Sequence, residues 1–274
     1  MNAMTTELER AAGTREQHLG AVRRVIYAMR ERLAEPLTLQ ELARIAYLSP
    51  FHFNRVFRLV TGVPPGRFLA ALRMSEAKRL LLESQLNVTD ICVSVGYSSL
   101  GTFTTLFAQQ VGVGPREFRR LGTAFVHRAF AEMIPAQPRD TPGRISGHVN
   151  IPDCDKLVML GLFPRSLALG KPVACTSTRG PGGFQLAGVP DGTYRLLAAA
   201  HAPDATVSEA LVAGCRSGLW VGITDTPVTV ENGQAARPAR ITLTPTADTD
   251  PPILTGIPLL SMMPPARACG TTEG

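Results

Sequence analysis

The sequence predicts a multidomain chain: an all-α N-terminal domain with two helix–turn–helix motifs, then an all-β sandwich of about seven short strands. Three observations predict it. Leu39, Leu42, Ala43, Ala46 and Leu48-Ser49 recur 49 positions later as Val88, Ile91, Cys92, Val95 and Tyr97-Ser98. Phe53, Phe57, Gly62, Pro65 and Phe68 recur 50 positions later as Phe103, Phe107, Gly112, Pro115 and Phe118. A repeat of this kind is a duplicated supersecondary unit, and the offset changes by one inside the turn that joins its two helices. Beyond Pro142-Gly143 the helical spacing gives way to short apolar runs divided by Gly and Pro, the pattern of a β domain.

Each helix has its own justification. Residues 1–13 read as a frayed N-terminus. From Glu16 to Leu33 an apolar stripe of Leu19, Val22, Ile26, Met29 and Leu33 runs at helical spacing, and Pro36 ends it. Thr38-Leu39-Gln40-Glu41 is a capping box that opens a short helix to about Ala46. Ser49 caps the next, with Pro50 at its first position, and Gly62 stops it. Residues 65–84 form an unbroken helical pattern with Leu69, Leu72, Ala77, Leu80 and Leu81 on its buried side. Asn87 caps Val88–Val95. Gly96-Tyr97-Ser98-Ser99 is a turn, Leu100–Val111 a sixth helix, and Pro115–Leu121 a short last one.

Residues 123–142 read as a Pro-rich linker, 143–245 as the sandwich and 246–274 as a Pro/Thr-rich tail that packs loosely or not at all. The expected strands are Ile145–Ile151, Leu157–Phe163, Val173–Ser177, Gly183–Leu186, Thr193–Ala200, Leu219–Thr224 and Ile241–Thr244. Pro190-Asp191-Gly192 supplies the turn chemistry before the fifth.

The charge is divided like the fold. Residues 1–130 hold 17 Lys+Arg and 10 Asp+Glu, hence +7; residues 131–274 hold 11 and 12, hence −1. The basic excess therefore sits with the duplicated helices and points to a polyanionic partner. No signal-peptide pattern and no membrane-length apolar run is present, and the five cysteines form no C-x-x-C pair. These features predict a cytoplasmic protein with reduced thiols, no zinc site and no membrane partner.

Residues 1–121 resemble the DNA-binding domain of the AraC/XylS family of transcription regulators, which has a homeodomain-like helical fold. The motifs are Leu37-Thr38-Leu39-x-x-Leu42-Ala43, Leu48-Ser49 with Phe53, Phe57 and Gly62, and Arg73-Met74-x-x-Ala77-x-x-Leu80-Leu81. They continue with Val88-x-x-Ile91-Cys92-x-x-Val95-Gly96-Tyr97, Phe103, Phe107, Gly112 and Pro115-x-x-Phe118-Arg119. The resemblance implies two helix–turn–helix units joined by a rigid helix, each placing its second helix in a major groove of double-stranded DNA, with RNA polymerase as a further candidate partner. In the first unit it implies base contacts from Phe51, Asn54 and Arg55, and backbone contacts from His52 and Arg58. An arginine forks onto guanine and an asparagine onto adenine. In the second unit the matching positions are Leu100, Gly101, Thr102, Thr104 and Thr105. Ala108 stands where the family usually carries a base, and Leu100–Val111 has no charge at all. The first unit is therefore expected to read bases and the second mainly to dock, since electrostatic affinity scales with the phosphates neutralised.

The second part resembles carboxypeptidase-regulatory-like, transthyretin-type sandwiches at Gly183-Phe184-x-Leu186-x-Gly188-Val189-Pro190-Asp191-Gly192-Thr193-Tyr194. That resemblance implies a module for an effector or a protein partner. No nucleophile elbow, H-E-x-x-H or phosphate loop appears, so no enzyme activity, cofactor or metal is expected. His148 and His201 read as structural, and Asp153 with Asp155 as a solvated loop. The competing reading is a carbohydrate-binding, ligand-binding or interaction module carrying a degenerate helical domain.

Overall fold

The computed structural model describes residues 3–125, 143–164, 169–202, 204–212 and 219–254, with side chains from residue 13 apart from those of Phe125, Val207 and Ser208. Among these residues the chain forms two compact units. The first takes residues 3–120, 211–212, 219–220 and 245–254; the second takes 121–125, 143–210 and 221–244 in their described parts.

Seven helices build the first unit: α1 (Ala3–Glu31), α2 (Leu39–Ala46), α3 (Pro50–Thr61), α4 (Pro65–Glu83), α5 (Val88–Ser94), α6 (Leu100–Val111) and α7 (Pro115–Phe125). Helix α1 starts at Ala3 rather than near Glu16, because Glu7, Leu8, Glu9, Arg10, Ala11 and Ala12 are all good helix formers. Helix α7 likewise runs past Leu121 to Phe125.

The caps act where the sequence places them. Thr38 and Glu41 form a reciprocal capping box: the Glu41 amide donates to Thr38 Oγ1 at 3.2 Å, and the Thr38 amide donates to Glu41 Oε2 at 2.8 Å. Ser49 and Ser99 accept the third amide of α3 and α6, from His52 and Thr102. Gly62 and Gly112 end those helices in the left-handed conformation.

The duplication is visible as two aromatic trios. Phe53, Phe57 and Phe68 stack edge to face with ring centres 5.5 and 5.4 Å apart; in the second trio Phe103 and Phe107 are tilted at 5.8 Å and Phe107 meets Phe118 edge to face at 5.5 Å. All six side chains are fully buried. Each trio locks a short helix pair onto the helix that follows it, so burial rather than propensity holds these short helices. The turns inside the pairs repeat as well: Leu48 donates to Ala43 O at 3.0 Å and Tyr97 to Cys92 O at 3.0 Å.

The expected tail divides. Residues 255–274 lie outside the described residues, but 245–254 belong to the first unit. Thr246 donates to Leu219 O at 2.7 Å, and the Asp250 carboxylate accepts the Ala247 amide at 2.8 Å, folding the strap into a tight turn. Thr249 and Leu254 are buried. Asp248 pairs with Arg23 of α1 at 3.0 Å. Lys78 of α4 is 1% exposed and donates to Ile253 O at 3.4 Å. Segment 246–254 is thus held by these polar contacts and by the burial of Thr249 and Leu254 rather than packing loosely.

The second unit is a curled sheet. Its strands are β1 (Arg144–Asn150), β2 (Leu157–Phe163), β3 (Ala174–Arg179), β4 (Gly182–Ala187), β5 (Gly192–His201), β6 (Trp220–Ile223), β7 (Val228–Glu231), β8 (Gln234–Ala235), β9 (Ala239–Thr242) and β10 (Thr244–Pro245). A short helix, α8 (Val207–Val212), follows β5. Pairing runs β10-β6-β5-β7-β8-β1-β4, with β2 between β5 and β3, and β9 beside β1. Strand β2 is buried on both faces, and its Leu157–Phe163 pair with His201–Arg195 of β5. The seven expected strands are all present within a few residues, and β7, β8 and β10 are additional. Asn232-Gly233 joins β7 to β8 with φ of 52° and 74°, the two positive angles of a type I′ hairpin turn. Asp191 braces it, accepting both the Asn232 and Gly233 amides at 2.9 Å. The expected linker falls mostly on residues 126–142, outside the described residues.

Candidate nucleic-acid interface

Helix α3 buries Phe53, Val56 and Phe57 at helical spacing. The opposite face therefore turns outward and carries Phe51, Asn54, Arg55 and Arg58, all exposed, with Phe51 85% exposed. Arg55 and Arg58 form no ion pair among the described residues. Elsewhere in the helical unit carboxylates are paired within their own segments: Glu76 and Glu83 with Arg79 at 2.6 and 2.9 Å, Glu117 with Arg120 at 2.6 Å, and Glu35 with Arg32 at 2.6 Å. These pairs hold Arg79, Arg120 and Arg32 above their ordinary pKa and Glu117 below its own. Among the described residues, the two arginines of α3 face solvent with no carboxylate partner.

His52 lies at the edge of this face. It is half-buried rather than turned to solvent, and its Nε2 is enclosed without a hydrogen-bond partner. Its ring meets His18 of α1 edge-on, with centres 5.7 Å apart. The flank of α3 that carries His52 packs on α1, which sets it at the edge of the outward face.

Helix α6 buries Phe103, Phe107 and Val111. Leu100, Gly101, Thr102 and Thr105 are exposed. Thr104 is half-buried and its hydroxyl donates to Gly101 O at 3.0 Å, so it sits at the edge of the face with its donor already used. The Thr102 hydroxyl bonds Ser99 Oγ at 3.2 Å. The α6 face is polar and uncharged, unlike that of α3.

Three further residues enlarge the α3 surface. Tyr47, in the turn before α3, is 83% exposed, and the Arg24 guanidinium of α1 lies 5.5 Å from its ring centre. Leu59 is exposed one residue beyond Arg58. An aromatic residue in a turn otherwise flanked by core residues, Ala46 and Leu48, is the signal in the sequence that marks Tyr47.

In the second unit, Asp153 Oδ1 accepts the Asp155 amide at 3.0 Å and its other oxygen faces Lys156 at 3.6 Å, a self-contained turn. Among the described residues no group of three His, Cys, Asp or Glu side chains could hold a metal, and Cys92, Cys154 and Cys175 are free thiols. His148 is exposed and His201 buried. No described helix is long and apolar enough to cross a membrane.

Short helix pairs packed on longer helices, with an outward cationic helix, define a helix–turn–helix DNA-binding fold. A family described as a helix-turn-helix domain matches residues 42–121. The probable transcription factor PqrA of Proteus vulgaris is 30% identical over 89 residues, 32% of this chain and 73% of that protein. YobQ of Bacillus subtilis, an uncharacterised helix-turn-helix-type transcriptional regulator, is 36% identical over 87 residues, 32% of this chain. The DNA-binding domain of AdpA, the global transcriptional factor, in complex with a target DNA is 31% identical, with 38% of this chain and 93% of that one covered and a TM-score of 0.37. The chain belongs to the AraC/XylS family of transcription regulators. It spans 36% of the length of YobQ.

Proposed function

We propose that this protein is a sequence-specific DNA-binding transcription regulator. Its α2–α3 and α5–α6 pairs are two helix–turn–helix units that read adjacent major grooves of one duplex. The observation that carries this reading is the outward face of α3, with Asn54, Arg55 and Arg58 exposed on a scaffold built twice. Arg55 and Asn54 supply base contacts, Phe51 a thymine-methyl contact, and Arg58 a phosphate contact. Leu100, Gly101, Thr102 and Thr105 of α6 rest in the second groove, where they add shape and hydrogen bonds but no counterion release. Thr104 and His52 support these faces from their edges.

The curled sheet is read as a β-sandwich that serves as an effector or partner module rather than as an enzyme. Tyr194 favours this: its hydroxyl donates to Pro190 O at 2.9 Å, the corner contact common in two-layer β domains. RNA polymerase is the further protein partner this reading expects, in the cytoplasm, on the nucleoid.

The test is binding of the full chain to duplexes selected from a random-sequence pool, measured by fluorescence anisotropy across salt concentrations. Arg55→Ala should lose about tenfold or more in affinity and relax one base position, a loss of about 1–3 kcal/mol. Thr105→Ala should lose less. A larger loss for Thr105→Ala refutes the division of labour; failure to enrich any sequence refutes the DNA-reading function.

A further inference from the structure

Arg73 sits in the middle of α4, the helix that joins the two pairs. Its Nε donates to Leu33 O at 2.9 Å and its Nη2 to Glu35 O at 2.7 Å. Both carbonyls lie in the connection between α1 and α2, just past the end of α1, where backbone acceptors lack helical partners. The same guanidinium lies 5.7 Å from the ring centre of Tyr97, in the turn between α5 and α6. Tyr97 in turn packs on Phe103 of α6, ring centres 5.6 Å apart. Beside it, a Cβ on Gly96 would stand 2.8 Å from Ala34 O and 3.0 Å from the Arg73 guanidinium carbon. The turn of the second pair is therefore pressed onto the segment that enters the first pair. Arg73 touches both.

Arg119 provides an internal comparison. From α7 it makes a similar fork, Nε to Leu81 O at 3.0 Å in the last turn of α4 and Nη2 to Leu86 O at 2.6 Å in the connection between α4 and α5. Each pair is thus entered by a segment whose carbonyls are held by an arginine of the helix that follows the pair. Arg119 has no cation–π contact among the described residues. The repeat supplies the fork twice, and only Arg73 adds a grip on the other pair.

We propose that Arg73 is a positioning residue that fixes the distance and twist between α3 and α6, and so the half-site spacing the protein accepts on DNA. The proposal rests on the two-unit reading above. Helix α4, 19 residues and about 28 Å long, is stiff along its axis and holds the first pair through the Phe53–Phe57–Phe68 trio, but the second pair follows it through the connection at residues 84–87. The fork fixes the Arg73 guanidinium against the entry to the first pair, and the Tyr97 ring packs the turn of the second pair onto that same guanidinium. A lysine keeps the charge but cannot hold two carbonyls in one plane. Two reading helices locked this way match grooves about one turn apart, and a half-turn insertion of about five base pairs rotates the second groove out of reach.

The experiment selects duplexes from a random-sequence pool with the purified full chain, in wild-type form and as Arg73→Lys, Tyr97→Leu and Arg119→Lys. The wild type should enrich a strong block read by α3 and a weaker one contacted by α6, at one spacing. Arg73→Lys and Tyr97→Leu should enrich the same two blocks spread over several spacings, because α3 and α6 are untouched. Arg119→Lys should keep the wild-type spacing. On the selected site, a five-base-pair insertion should lower wild-type affinity by about tenfold or more, and that of Arg73→Lys by less than about threefold. Two blocks at the single wild-type spacing from both variants overturns the proposal. One block from the wild type overturns the two-unit reading and the staple with it, and none overturns DNA reading itself. Should Arg73→Lys fail to fold, Tyr97→Leu carries the test, since it leaves both carbonyl bonds in place.

Discussion

Replacing Gly96 by alanine should destabilise the helical unit by about 2–5 kcal/mol, the sum of a conformational and a steric term. Gly96 has φ +85°, where an L side chain costs roughly 1–2 kcal/mol. The new Cβ would also lie 2.8 Å from Ala34 O and 3.0 Å from Ala34 Cα, both backbone atoms. Relieving that overlap means moving the α1–α2 connection and the Arg73 fork with it, a forced repacking of about 1–3 kcal/mol. Gly62 isolates the first term. Its φ is +76°, but no atom lies within 4 Å of where its Cβ would be, so Gly62→Ala should cost only the conformational 1–2 kcal/mol, roughly. Urea unfolding of the full chain, followed by ellipticity at the helical band, measures both. A difference between the two variants below about 0.5 kcal/mol would refute the argument that the second turn is pressed against the first connection. The first pair gives the converse. Tyr47 occupies the equivalent turn position at φ 58° with its ring in solvent, so Tyr47→Gly should leave stability nearly unchanged or slightly raised.

Phe107→Ala should cost about 3–5 kcal/mol in the same assay, because the ring is fully buried between Phe103 and Phe118. Glu41 is held below the ordinary carboxylate pKa of 4.5, first by the Thr38 amide and then by the Thr38 hydroxyl. A depressed folded pKa means its contribution is complete above the unfolded value and is lost as pH falls through the folded one. Glu41→Gln should therefore flatten the acid side of the stability profile; an unchanged acid limb would contradict this. Asp248→Asn should cost less than about 1 kcal/mol by thermal unfolding, since Arg23 and Asp248 are each about half exposed and solvent screens the pair.

Much of the helical unit was legible residue by residue. Thr38, Ser49 and Asn87 cap where a capping side chain precedes a periodic run, because capping reaches only three residues ahead, and Ser99, read only as part of a turn, caps α6 in the same way. The outward positions of Phe51, Asn54, Arg55 and Arg58 follow from the spacing of Phe53, Val56 and Phe57. The contact of His52 with His18 of α1 was not legible, because periodicity describes one helix and this neighbour lies more than thirty residues earlier. In the second unit, Asn232-Gly233 was a readable hairpin signal that would have located β7 and β8.

The sequence by itself determined the duplication, the ends of the capped helices, the sign of charge on α3 and its absence from α6. These depend on neighbours three or four residues apart, and such contacts are written in spacing. Tertiary structure alone decided that residues 245–254 return to the helical unit, with Asp248 on Arg23 across 225 positions. It also decided that Arg73 holds Leu33 and Glu35 on one side and Tyr97 on the other. An arginine with many carbonyls and rings to choose from carries no mark of its partner in the local sequence. Only the packing of the aromatic trios brings one particular set within reach, because a close-packed core admits few arrangements of the helices around it.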